Sequence, residues 1–258
     1  MTYSRVFAAS VVALGLCGAS AHAAAVDLTN WIENGKTGNG AGTWTVSAAK
    51  DSVFQSINGQ PTVFFDPGND AQGNQLGGTI KVETTGDDDY IGFVLGFDAN
   101  EFGSTNADFW LIDWKQGAQS GSPGAGLRLS HVTGNVGAAS TNDFWAHNGT
   151  VSIVQTAANL GGTGWADNTE YSFDLEFTKD LIEVKVDGVT ELTYTSTDHG
   201  AQFEDGAFGF YNYSQSSVRY AGITQVQAPS EVPVPMALPL MASGLGALGF
   251  LGMRRRKG

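Results

Sequence analysis

From about residue 26 to residue 227 the chain runs in short apolar-polar alternations separated by glycine, asparagine and aspartate. Alternation is cleanest in YSFDLEF, where Tyr171, Phe173, Leu175 and Phe177 share one face and Ser172, Asp174 and Glu176 the other. A period of two is the signature of a half-buried strand. Further strands are predicted at 43–48, 52–57, 62–65, 79–84, 127–132, 151–156, 171–178, 181–186, 191–195, 207–213 and 218–226. The Asp187-Gly188 pair between two of these is a hairpin turn. Two runs break the alternation: YIGFVLGF at 90–97 and FWLIDW at 109–114 are apolar at consecutive positions. They read as paired antiparallel strands, buried on both faces, at the centre of the fold. No stretch shows a helical period with caps. The body, 26–227, is therefore expected to be all-β, a single two-sheet sandwich of jelly-roll type without internal repeats.

The ends have a different pattern. Residues 1–25 carry Arg5, a short apolar run and Ala21-His22-Ala23. That order describes a secretory signal peptide cut near Ala23. From Ala228 a proline-containing linker (APSEVPVP) leads into LPLMASGLGALGFLGM and then Arg254-Arg255-Arg256-Lys257. Counted from Val232 to Met253, the run approaches the roughly 20 residues that a membrane span needs. The basic cluster would stay cytoplasmic, leaving the body outside. With prolines in its first part, segment 228–258 reads as a transmembrane sorting helix rather than a permanent anchor. The Val232-Pro233-Val234-Pro235 motif with Arg254, Arg255 and Arg256 resembles the bacterial VPLPA/PEP-type C-terminal sorting signal, departing from it at Val234 and by an inserted Met236. The resemblance implies an exosortase-like sorting enzyme as partner, transient inner-membrane anchoring, and export to a cell surface or exopolysaccharide matrix.

Charge narrows the partners. The formal net charge of the chain is -13, and between residues 24 and 231 eight basic residues face 26 acidic ones, a balance of -18. Such a surface repels nucleic acid and anionic lipid and suits calcium, cationic partners or neutral glycans. The one cysteine, Cys17, lies in the leader and follows Leu16 rather than a small residue. The exported body then has no disulfide, and its stability rests on core packing and any bound metal.

Candidate chemistry is sparse. Asp87, Asp88 and Asp89 stand at the mouth of the 90–97 strand. Adjacent carboxylates repel unless a cation offsets them, and calcium takes oxygen ligands of this kind. The other reading is a solvated acidic turn. Adjacent strand residues point to opposite faces, so at most two of the three can share one ion directly. The loop at 66–74 (DPGNDAQGN) is rich in oxygen ligands but lacks the spacing of a calcium-binding EF loop. Asp174 and Glu176 are the one carboxylate pair on a shared strand face, as a glycosidase would need, but the longer Glu-x-Asp-x-Glu pattern of jelly-roll glycosidases is absent and a solvent-facing strand edge is the better explanation. The histidines His22, His131, His147 and His199 show no zinc spacing. Trp110, Trp114, Trp145, Trp165, Tyr211 and Tyr213 could stack on sugar rings if exposed, and otherwise belong to the core.

These residues also carry a family resemblance. Trp44, Gln55 and Asn58, then Asp87-Asp88-Asp89-Tyr90, Gly92-Phe93, Gly96-Phe97 and Trp114-Lys115-Gln116, resemble the C-terminal lectin-like domain of thrombospondins. Gly126-Leu127, Trp145, Gly164-Trp165, Glu170-Tyr171, Gly209-Phe210 and Ser214-Gln215 extend the match over about 43–223. The family's acidic calcium repeats and its cysteines are absent. The resemblance implies a concanavalin A-like jelly roll, an extracellular setting, and calcium with matrix or glycan binding. The expected function is non-enzymatic binding or adhesion, with polysaccharide or a matrix protein as partner. Alternatives are a structural biofilm component and a jelly-roll polysaccharide-active enzyme.

Overall fold

A computed structural model describes residues 23–38 and 40–227. Most of the expected leader, and the whole sorting segment with Val232, Pro233, Val234, Pro235 and the arginines at 254–256, lie outside the described residues. Among the described residues no helix is long and apolar enough to cross a membrane.

Among the described residues fifteen strands form two antiparallel sheets. The first sheet takes β1 (Ala24–Ala25), β3 (Trp44–Val46), β4 (Ser52–Gln55), β6 (Asn74–Val82), β11 (Glu170–Phe177), β12 (Leu181–Val186), β13 (Val189–Thr195) and β15 (Val218–Gln227). The second takes β2 (Ile32–Gly35), β5 (Thr62–Phe65), β7 (Tyr90–Phe97), β8 (Ala107–Lys115), β9 (Gly126–Gly134), β10 (Val151–Thr156) and β14 (Ala207–Tyr213). Their spatial orders are β13-β12-β11-β6-β15-β4-β3, with β1 beside β15, and β10-β9-β8-β7-β14-β5-β2. Strands distant in sequence are thus neighbours, as in a jelly roll. The expected central pair is β7 and β8, and β7 is the middle strand of its sheet.

The sheets face each other through the residues that alternation assigned to the inside. Phe93 meets Phe173 at a ring separation of 4.4 Å, and Phe210 stacks on Tyr220 at 4.4 Å. The Asp187-Gly188 turn has φ of 49° and 76°, left-handed at both residues as a tight hairpin demands. One side of the sandwich is closed by Gln155, whose amide donates to Thr193 O (2.9 Å) and accepts from Thr193 N (3.1 Å). A side-chain amide there bridges β10 and β13, which belong to different sheets.

The outer face of the seven-stranded sheet is also covered. A second apolar cluster joins Val63, Tyr90, Val94, Phe109 and Tyr211 of the sheet to Phe102, Val136 and Phe144 of the loops above. The roof contains a 3-10 turn, Glu101–Gly103, and α1 (Thr141–Ala146). It explains why every residue of β7 is buried. The helices α1 and α2 (Ser196–His199) correct the expectation of a chain without helix. They span six and four residues and are held by caps: Ser140 Oγ accepts from Asn142 N, and Thr195 with Asp198 forms a capping box. Elements this short show no period. β1 and β2 were likewise not anticipated from the pattern.

Candidate functional site

The three acids sit where the chain enters β7, at one end of the sandwich. They are not strand: Asp87 has a φ of 87°, in the left-handed region that aspartate tolerates better than most side chains. Strand alternation therefore does not apply, and the expectation that at most two carboxylates could meet is corrected. One oxygen from each of Asp87, Asp88 and Asp89 lies within 4.8 Å of the others.

Each acid has its own partner. Asp89 pairs with the Lys115 ammonium at 2.5 Å, with side chains 4% and 0% exposed. Lys115 also donates to Asp88 O (3.3 Å) and Gln119 Oε1 (2.8 Å), and it lies 4.5 Å over the Trp145 ring. Gln119 donates through Nε2 to Asp88 Oδ1, and Asn58 donates through Nδ2 to Asp87 Oδ2. The backbone is held as firmly. Asp89 N donates to Gln215 Oε1 (3.0 Å), and Trp165 Nε1 donates to Asp89 O (3.1 Å). A Cβ at Gly164 would stand 1.9 Å from Gln116 O, so only glycine lets these segments meet.

Burial, and the Asp89 carboxylate beside it, push Asp87 up to about 6. Three carboxylates facing one ammonium leave two negative charges, so the donor set fits a divalent, oxygen-seeking ion such as calcium. Asp87, Asp88 and Asp89 would hold it. Bound there, it would neutralise the mutual repulsion that now favours the protonated form of Asp87.

The other candidates fall elsewhere. Asp174 and Glu176 point outward from β11, with Lys185 opposite Asp174 and bonded at 2.7 Å to Glu183. In the 66–74 loop, Asp66 accepts from Gly68 N and Ala71 N donates to Gly206 O. Trp110, Trp114, Trp165, Tyr211 and Tyr213 are all buried, which removes them as sugar platforms. Trp145 is half-buried and packed against Tyr90 and Tyr213. His147 lies 2.7 Å from the buried Asp113, while His131, far from His199 in sequence, comes within 5.0 Å of it, ring to ring. Strand register alone could have placed His131 beside Trp110, and nothing in the sequence places His199 there.

The convergence of Gln55, Asn58, Lys115, Trp165 and Gln215 around the acid triplet unites motif residues drawn from across the chain, and the comparisons with known proteins agree with it. The model of the thrombospondin C-terminal region matches residues 39–227. The chain belongs to the thrombospondin C-terminal family. Human thrombospondin-2 is 24% identical over 195 residues, covering 70% of this chain and 16% of the relative. Rat cartilage oligomeric matrix protein is 24% identical over 196 residues, covering 70% and 25%. The chain thus spans a quarter or less of the length of these curated relatives. Among solved structures, the carbohydrate-binding module CBM66 from Bacillus subtilis is similar, with a TM-score of 0.51 at 11% identity over 77% of this chain and 96% of that one. At that identity the likeness concerns the fold, a lectin-like sandwich of two antiparallel sheets.

Proposed function

We propose that this family member is a non-enzymatic binding or adhesion protein, exported to a bacterial cell surface or exopolysaccharide matrix, whose acid triplet binds calcium. The observation that carries the reading is the meeting of three carboxylates with a single compensating ammonium at the end of the sandwich. An ion there would tie the 86–89 segment to the Asn58 loop and to the turn after β8, which are surface elements. The sorting signal read at 228–258 supports the surface location, and the family's thrombospondin relatives support an extracellular binding role.

Thermal unfolding with calcium and with chelator tests this. A ligand that binds only the folded state stabilises it by about 2.7 kcal/mol at a hundredfold excess over its dissociation constant. A calcium-dependent rise in Tm that is lost in Asp88→Asn is the expected result. An unchanged Tm in millimolar calcium would reduce the triplet to a solvated turn ordered by Lys115.

A further inference from the structure

The acid triplet precedes β7; after its other end, the edge strand β2, the Glu101–Gly103 turn and the loop after β9 enclose an open cleft of about 620 Å³. That volume is within the range of ligand sites, roughly 300–1,000 Å³. Asn34, Asn100 and Asn135 supply amides to its lining, Thr105 a hydroxyl and Lys36 an ammonium. Among the described residues no carboxylate lines it, in a chain with 26 acidic residues. Gly103 and Gly137 bring two loop backbones together: Gly137 N donates to Ser104 O at 2.7 Å, and a Cβ on Gly137 would stand 2.5 Å from Gly103 O. Both walls are anchored from below. Phe102 and Val136, 1% and 0% exposed, plug into the roof cluster beside the polar lips, and Asn34 Oδ1 accepts from Phe102 N at 3.2 Å. The lips are thus polar and exposed while their backbone is held in place.

We infer that this cleft binds a neutral polysaccharide chain, and the inference rests on the proposed binding role. The oxygens of Asn34 and Asn135 each accept a backbone N–H, from Phe102 and Ala138, which orients their Nδ2 groups as donors, while the Asn100 amide and the Thr105 hydroxyl can both donate and accept, a set that matches the hydroxyls of a sugar. With only neutral oxygens and an ammonium among its described lining residues, the cleft offers a cation no compensating charge. The surrounding excess of negative charge disfavours a polyanion, and the one lysine already spans the cleft to Gly137 O at 3.4 Å. Recognition is by hydrogen bonds rather than ring stacking, because Phe102 is covered.

Native affinity electrophoresis of the full chain in gels containing soluble glucan, mannan or galactan, with a polyuronate as charged comparison, decides the matter. At least one neutral polymer should retard the protein. Lys36→Ala/Asn100→Gly, which removes one polar group from each wall and keeps the left-handed backbone at 100, should weaken that retardation at least tenfold. Ala138→Leu, which narrows the cleft and removes no polar group, should do the same. Both variants should keep the Tm of the parent. Retardation left unchanged in both would overturn the cleft and leave the binding role standing. Retardation by polyuronate alone would overturn the neutral class. No retardation by any of the polymers would remove the polysaccharide reading and this inference with it, whereas calcium binding would be untouched.

Discussion

The seven-stranded sheet buries both faces, and the two are built by different means. Its inner face meets a second sheet, whose backbone is satisfied by its own ladder, so the contact is made chiefly by apolar side chains. Its outer face meets loops and α1, and here Asp113, Lys115, Arg128 and His147 are buried along with the aromatics. Irregular backbone brings carbonyls that no ladder satisfies. Arg128 donates to four of them, Pro123 O, Gly124 O, Ala125 O and Gly126 O, at 2.9–3.1 Å. Asp113 similarly pins the C-terminal cap of α1 through His147. Buried charge on the outer face therefore serves as scaffolding for the roof. The consequence for function is that this sheet offers no open face to a ligand.

Lys115 is where that contrast is expected to break most severely. Lys115→Met leaves the Asp89 carboxylate buried without its partner, and removing one member of a buried ion pair costs about 3–5 kcal/mol. Urea unfolding measures it; a loss below about 1 kcal/mol would mean that Asp89 is held by Gln215 and Trp165 alone. Next comes a pair of core truncations. Phe210→Ala on the inner face should cost about 3–5 kcal/mol and speed amide exchange throughout both sheets. Phe144→Ala in the roof should cost less, because its effect is limited by the free energy of opening the roof locally. Exchange should then rise in 134–151 and stay unchanged in β11. Equal acceleration in both regions would show that the roof is not a separate layer.

Glu101 sharpens the comparison through pH. It is 5% exposed, its Oε2 has no hydrogen-bond partner among the described residues, and burial pushes its pKa up to about 7. The folded-state value lies above the ordinary one, so the folded protein takes up the proton preferentially. The stability this contributes is present below about pH 4.5 and is lost as pH rises through 7. Glu101→Gln should therefore raise Tm by about 2–4 °C at pH 8, equivalent to roughly 1 kcal/mol for a domain of this size. At pH 4 it should change nothing, and a gain of the same size there would reject the burial argument. The smallest effect is expected on the outer face of the other sheet, where nothing is roofed. Asp174→Ala and Glu176→Ala should each stay within about 0.5 kcal/mol of the parent in urea unfolding.

Much of the sandwich was legible before any coordinates, because strand periodicity is local. The runs 90–97, 151–156, 181–186 and 207–213 coincide with β7, β10, β12 and β14, and the inward set of β11 is the one that alternation assigned. The turn at Asp187-Gly188 was legible for the same reason, since a left-handed φ at both positions selects those residues. The absence of alternation in β7 and β8 told of burial on both faces, though not of what covered the second one. The acids were legible as a cluster, but their geometry was misread, because the left-handed Asp87 breaks the alternation that the neighbouring strand obeys.

What only the tertiary structure decided depends on contacts between segments far apart in the chain. α1 and α2 are too short to be stable alone and exist through their caps and the surfaces they cover. Lys115 was legible as a motif residue, but only the fold removes it from water and sets it against Asp89, 26 residues earlier. The cleft joins Asn34, Asn100 and Asn135, none of which belongs to a motif. Local sequence determines which residues can lie on a strand and which face they present; where two faces meet, which charge is stranded between them and which edges stay open are set by long-range packing, and no short window contains that information.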